Sequence, residues 1–437
     1  AARPPRRPLR QGRRRGADLR AGSKGFRSGF MPYFFRQPLE IDAKVWYTDK
    51  KEMGEFLMAI RITRENMGVV FTPRDEEVYS NTSGVLYPRV IELHHAGELN
   101  GLLLATFDHS TVKEPPVVPV MCSRDGGVTW EPYSQIEDTQ NGYGIRFQPH
   151  IYELPQPCGD LPAGTIVMCG NSVPLDFTST ELSFYLSRDH GKTWEFRSSV
   201  VKGGPPVEQN FEALGPVWEP FIYIDAYGGL TVAFTDERPH TDPRFNQTLA
   251  LITSVDGGRT WGDVRYTVKI PDRAMRPGMP VVARMGDGKY IMVYEIVGCP
   301  CCDIYYKLSD DGIDWGDPHW EGKRVETADG LFLGSMPYVI WVPQGGPEGT
   351  VIVTAKREGE HIGMRDPGYY HVNYHSGQGP WERVPMLITY NTDTLQAGWS
   401  MGMTAFRGGE YLIQLAPTPM NKRLMQITYG IGKLETV

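Results

Sequence analysis

At 437 residues the chain is long enough for one large all-β domain or about two to three average ones. Its 45 Lys and Arg against 52 Asp and Glu leave a net charge of −7, which argues against nucleic-acid binding by the body of the protein, and no apolar run approaches the length of a membrane span. The 49 Gly, 35 Pro and 11% aromatic residues suit many short strands joined by tight turns, while six cysteines are too few for a disulfide scaffold.

The first thirty residues differ from the rest. Arg3, Arg6, Arg7, Arg10, Arg13, Arg14, Arg15, Arg20 and Arg27 face one acid, Asp18, with no apolar periodicity and no apolar core of the kind a secretory signal needs. Such an arm is either a nucleic-acid or targeting segment or an unstructured leader ahead of Met31. We read residues 1–30 as a leader, 31–80 as an extension, and 81–437 as the folded domain.

From residue 86 onward one pattern recurs six times. Leu86-Tyr-Pro-Arg-Val, Phe147-Gln-Pro-His-Ile, Trp218-Glu-Pro-Phe-Ile, Gly278-Met-Pro-Val-Val and Ser335-Met-Pro-Tyr-Val place a proline at the head of an extended apolar run, and Ser400-Met-Gly-Met-Thr has Gly402 in the same place. Proline costs little where no ladder hydrogen bond is yet needed. A turn and a second apolar strand follow each time, at 102–107, 165–170, 230–235, 290–294, 350–355 and 411–415. The remaining length allows two more strands per repeat. Four strands per repeat, six times over, predicts an all-β six-bladed propeller.

A second signature runs in phase with the first. Ser123-Arg-Asp-Gly-Gly-Val-Thr-Trp130, Ser187-Arg-Asp-His-Gly-Lys-Thr-Trp194 and Ser254-Val-Asp-Gly-Gly-Arg-Thr-Trp261 share one turn motif, and Ser309-Asp-Asp-Gly-Ile-Asp-Trp315 is a shortened copy. The residue types are those of a turn: Asp to bond backbone N–H groups, Gly for positive φ, Trp to pack beneath. They resemble the Asp-boxes of sialidases and their relatives, and the resemblance implies a structural role away from any chemistry.

Antiparallel hairpins put the start of the first strand and the end of the second at one end. If the hairpins line a channel, one mouth is ringed by Arg89, Gln148, Glu219, Met279 and Met336 from strand starts. Asp108, Asn171, Asp236, Glu295, Lys356 and Arg357 come from strand ends. Glu219, beside Trp218, and Glu295, closing Tyr290-Ile-Met-Val-Tyr294, would then meet across the mouth of neighbouring blades. Paired carboxylates flanking a scissile bond are what glycoside hydrolysis requires. The alternative is a pair of rim carboxylates in salt bridges with Arg89, Arg238 or Arg276.

The stretches Gly215-Pro-Val-Trp-Glu-Pro-Phe221, Thr235-Asp-Glu-Arg238, Arg276-Pro-Gly-Met-Pro280 and Gly288-Lys-Tyr-Ile-Met-Val-Tyr-Glu295 resemble glycoside hydrolase family 93, exo-α-1,5-L-arabinanases on the sialidase-type six-bladed propeller. The resemblance implies a retaining mechanism with Glu219 as acid/base and Glu295 as nucleophile, Tyr390 as an assisting tyrosine, and Arg276 and Asn171 as substrate contacts. With Arg89, Asp108, Gln148, Trp218 and Asp236 these make the expected substrate-binding rim. It also implies a carbohydrate substrate, no cofactor and no metal. A monomeric, secreted protein without nucleic-acid or membrane partners is expected. Cys299, Cys301 and Cys302 with Asp303 lack a fourth ligand at a sensible spacing, so local disulfide or buried thiol is the preferred reading over metal. Two rivals stand beside this one: a sialidase, which needs three rim arginines, and a non-catalytic carbohydrate-binding propeller, which does not need both glutamates.

Overall fold

The computed structural model describes residues 58–437 apart from 81, 207–213, 300, 361–362 and 392–395; the Arg-rich segment 1–30 lies outside the described residues. Six four-stranded antiparallel sheets follow one another along the chain. In each of the first five, the chain runs outward from an innermost strand: Val85–Glu92, Ile145–Glu153, Val217–Ile224, Arg276–Arg284 and Tyr338–Val342. The sixth begins with Gly402–Phe406 and continues through Tyr411–Pro419 and Met425–Thr436. Successive innermost strands touch, and the sixth touches the first, so the sheets close a six-bladed propeller around a central channel.

Closure of the ring uses sequence from both ends of the described chain. Ile60–Phe71, inside the segment read as an extension ahead of residue 81, is the outermost strand of the sixth blade and pairs with Met425–Thr436 from Ile60 opposite Thr436 to Phe71 opposite Ile427. Register shifts between Arg64 and Asn66 and between Val69 and Phe71 interrupt its alternation, which hides it from a pattern search. Hydrogen bonds in both directions between Ala59 and Val437 continue the seam. An outer edge pairing of this kind leaves no open strand between last blade and first.

The second strands are buried along most of their length, for example Leu103–His109 up to its last residue and Thr350–Thr354 throughout. Leu103, Leu104, Val232, Phe234, Ile291 and Ile352 are fully buried between neighbouring sheets. Truncating one such side chain to alanine would cost about 2–5 kcal/mol. All four Asp-box turns sit between the third and fourth strands of their blades, the end of each hairpin remote from the mouth. In the first, Asp125 accepts bonds from the Thr129 N–H at 3.0 Å and its hydroxyl at 2.7 Å, while Ser123 Oγ accepts from Gly127. The indoles also donate: Trp194 to Ser134 and Trp261 to Ser198, each tying a turn to the preceding blade. An extra three-stranded sheet, Phe332–Gly334 with Arg357–Glu360 and Gly363–Arg365, is added beside the fifth blade. Among the described residues no helix is long and apolar enough to cross a membrane.

Candidate active site

The recurring proline has a consequence at the channel. In the first four blades the ladder between the innermost strand and its neighbour skips two residues: Tyr87-Pro88, Gln148-Pro149, Glu219-Pro220 and Met279-Pro280. Proline has no N–H to give the ladder and disfavours the right-handed helical region for the residue before it. The preceding residue instead takes a left-handed conformation, with φ of 54° at Tyr87, 60° at Gln148, 59° at Glu219 and 57° at Met279. Met336, also before a proline, repeats it at 56°. Such bulges re-aim side chains, and the strain of about 1–3 kcal/mol per residue persists only where the surroundings enforce it.

The N–H groups freed by these bulges are bonded by the preceding blade. Gln148 N–H donates to Asp108 Oδ1 at 2.6 Å, and Glu219 N–H to Gln148 Oε1 at 2.9 Å. Met279 N–H donates to Glu219 Oε2 at 2.7 Å, and Met336 N–H to Glu295 Oε2 at 2.7 Å. The acids at the mouth are thus held by a chain of bonds running from blade to blade. Glu219 gains two more donors, Thr235 Oγ1 at 2.6 Å and the Tyr87 hydroxyl at 3.3 Å from across the channel. A Cβ on Gly278 would come within 2.6 Å of Gln247 Nε2, so a larger residue there would displace the Gln247 side chain.

A cavity of about 590 Å³ opens over the ring. Among the described residues its acids are Asp108, Glu219, Glu237 and Glu295, its one arginine is Arg276, and Phe147, Phe177, Trp218 and Trp399 supply aromatic walls. Beneath it a void of about 10 Å³ lies among Tyr87, Arg89, Glu219, Phe221 and Met279, and the buried cluster of Tyr87, Met279 and Met336 forms the floor of the funnel. Burial raises the Glu295 carboxyl to about 7, helped by the negative charge of Glu219 and opposed by the Met336 N–H. Burial also raises Glu219, against the pull of Thr235, Met279 and Tyr87, and raises Asp108 well above the carboxylate range. Burial thus shifts both carboxyls towards the protonated form, the direction that acid-assisted glycoside cleavage needs of one of the two. A larger cleft of about 820 Å³ lies over the fourth Asp-box, but it has no aromatic wall and its Asp310 sits in an exposed ion pair with Lys289.

Comparison with known proteins decides the family. The BNR/Asp-box repeat model matches residues 185–196. No curated protein matches the chain. Among solved structures, the Penicillium chrysogenum α-L-arabinanase in complex with arabinobiose is 30% identical, with 85% of this chain and 98% of that one covered at a TM-score of 0.73. This chain belongs to glycoside hydrolase family 93. The family 93 α-L-arabinofuranosidase of Fusarium graminearum, also solved with arabinobiose, is 29% identical over 85% of this chain and 98% of that one, at a TM-score of 0.71. The NanB sialidase of Streptococcus pneumoniae, 12% identical over 84% of this chain and 70% of that one at a TM-score of 0.50, shares the fold alone. The protein is a glycoside hydrolase.

For this family 93 enzyme, the structure brings Glu219, Glu295, Asp108, Gln148, Trp218 and Arg276 together on the funnel wall. Neither glutamate is in a salt bridge with Arg89, Arg238 or Arg276. Four expected residues fall elsewhere. Tyr390 is buried in the core with its hydroxyl 3.3 Å from Met401 Sδ and its ring against Gly398, too enclosed to assist at the mouth. Asp236 is one residue out of register: Trp218 pairs with Thr235 as Gly278 pairs with Glu295, so Thr235 faces the funnel, and Asp236, on the other face, is buried in an ion pair with Arg238. Asn171 has the right register but is fully buried, its amide donating to the Val217 carbonyl at 2.8 Å. Arg89 lies below the floor, bonded to the Pro88 and Ser400 carbonyls and the Ser400 hydroxyl.

Tyr87, Thr235, Glu237, Gln247, Phe147, Phe177 and Trp399 line the funnel and were not among the expected residues. The proline repeat could have found Tyr87, since it occupies the place of Glu219 in the first blade. The Gly298–Asp303 insert after Glu295 acts as a brace: the Cys302 carbonyl accepts the Ser335 N–H at 2.9 Å, next to the Met336 N–H that holds Glu295. Its three cysteines are free thiols, and Asp303 is engaged by Arg324 at 3.0 Å.

Proposed function

We propose that this hydrolase acts on arabinan-type polysaccharide or oligosaccharide from a chain end, with retention, using Glu219 and Glu295 as its catalytic pair. One observation carries the reading: two buried carboxyls with raised pKa share one floored funnel in a family 93 chain. A funnel ringed by blades and closed below admits a chain end more readily than the middle of a polymer, which supports exo action. The four acids and single arginine among the described residues of its lining suit a neutral sugar. A sialidase would hold its anionic substrate in an arginine clamp, and with Arg89 bonded beneath the floor no such clamp lines the cavity.

The resemblance gives Glu219 the acid/base role and Glu295 the attacking one. The hydrogen bonds favour the exchange of these roles: Glu219 accepts three bonds that stabilise an anion, whereas Glu295 is the acid raised to about 7. The test is hydrolysis of linear arabinan followed by proton NMR of the first-formed product. An α-configured product and a single released sugar size support retention and exo action; a β-anomer or a spread of fragment sizes overturns that element. Trapping with a 2-fluoro arabinofuranosyl fluoride and mapping the labelled peptide decides which glutamate attacks.

A further inference from the structure

Glu237 has no assigned part in the reaction, yet it is among the most constrained side chains of the funnel. Its backbone is fixed on both sides, with its N–H donating to the Pro216 carbonyl at 3.0 Å and its carbonyl accepting the His240 N–H at 3.1 Å. Oε1 accepts the Trp218 indole N–H at 3.1 Å and lies 3.6 Å from Arg276 Nη2. Arg276 Nη2 in turn donates to Gln247 Oε1 at 2.8 Å, and Gln247 Nε2 is anchored on the Pro277 carbonyl at 2.9 Å. Glu237 lines the cavity, and no described residue donates a bond to its other oxygen, Oε2. The Glu237 side chain is 18% exposed. Burial raises its carboxyl, while Arg276 and Trp218 favour its charged form.

A carboxylate pinned by one oxygen on the wall of a half-dry aromatic pocket is a fixed acceptor for a hydroxyl. A salt bridge alone would not need the indole or the glutamine brace. We propose that Glu237 is a specificity-determining residue that accepts a hydrogen bond from one sugar hydroxyl of the substrate, with Arg276 beside it. The funnel thereby selects arabinofuranosyl ends that are unsubstituted at that hydroxyl and rejects ends acylated, alkylated or branched there. A site built to bond a hydroxyl discriminates strongly against its absence because the buried polar group is left without a partner. This inference rests on the arabinan reading above.

The test is a substrate-by-variant cycle. kcat/KM is measured for wild type and Glu237→Gln on 4-nitrophenyl α-L-arabinobioside and on analogues lacking one hydroxyl at a time from either sugar. The ratio of wild type to variant cancels the intrinsic reactivity of each substrate. Glu237→Gln is expected to lower kcat/KM by about 10- to 100-fold on the parent, the worth of a hydrogen bond to a charged group, and to change one deoxy analogue less than about twofold. Trp218→Phe, which keeps the ring but removes the pin, gives the same selective pattern with a smaller loss and serves if the first variant does not fold. A ratio that is the same for every substrate, or full activity of Glu237→Gln on the parent, overturns the proposal while leaving the arabinan reading intact. A wild-type chain that hydrolyses neither arabinobioside nor arabinan overturns both.

Discussion

Acidic side chains at the two ends of the blades make the same kind of bond with opposite electrostatic results. At the Asp-box end, Asp125 is slightly desolvated, but bonds from Thr129, Ser123 and Val128 outweigh this and bring its carboxyl down to about 2. Asp256 is drawn well down by the Thr260 hydroxyl and N–H. At the mouth, Glu219 accepts three bonds and is still raised, and Glu295 accepts the Met336 N–H and still reaches about 7. Hydrogen bonds of similar length cannot offset full burial beside a second carboxyl. In water the acid is a fastener; in the funnel it becomes a store for a proton.

The largest expected effect separates the two ends by activity. Glu219→Gln and Glu295→Gln should each lower kcat/KM on linear arabinan by about 10³-fold or more, the scale of losing a general acid or an attacking group. Full hydrolysis by either variant would break the assignment of the pair.

A second prediction turns on pH. With Glu295 raised to about 7, the folded protein binds more protons than the unfolded chain between the ordinary carboxylate range and pH 7. Its contribution to stability is therefore present at low pH and lost as pH rises through that window. Glu295→Gln should gain stability relative to wild type by roughly 1–3 kcal/mol between pH 4 and pH 8. Urea unfolding of both proteins at the two pH values measures it, and an unchanged difference would show that Glu295 is not buried as a proton holder.

The smallest effect belongs to the far end. Asp189 accepts the Thr193 N–H and hydroxyl in the second Asp-box, with the Ser187 hydroxyl beside them. Asp189→Ala should lower unfolding free energy by about 1 kcal/mol, the net worth of turn-closing hydrogen bonds near the surface, with kcat/KM unchanged. A parallel loss of kcat/KM would show the two ends to be coupled.

Much of the molecule was readable along the chain because its signals are local. The proline repeat and the Asp-boxes recur within each blade, so blade count and hairpin direction follow from spacing, and hairpin direction alone puts Glu219 and Glu295 at one mouth. The outer strand Ile60–Phe71 was not readable, since its partner lies at the far end of the sequence. Asp236 was misplaced for a different reason: in a strand one residue of slip exchanges the faces, and only the pairing of Trp218 with Thr235 settles the register. Tyr390 was carried over by resemblance, and packing against Gly398 and Met401 assigned it to the core.

What the sequence by itself determined was the repeat, the propeller built from it, and the acids that end at the channel, because backbone patterning needs only near neighbours in the chain. Tertiary structure alone decided that Tyr87 reaches Glu219 across the channel, that a left-handed residue before each proline receives its bond from the previous blade, and that Trp218 pins Glu237 on the funnel wall. Those relations form only when the ring closes and brings distant blades within a few ångströms, and burial then sets the charge of every acid it encloses.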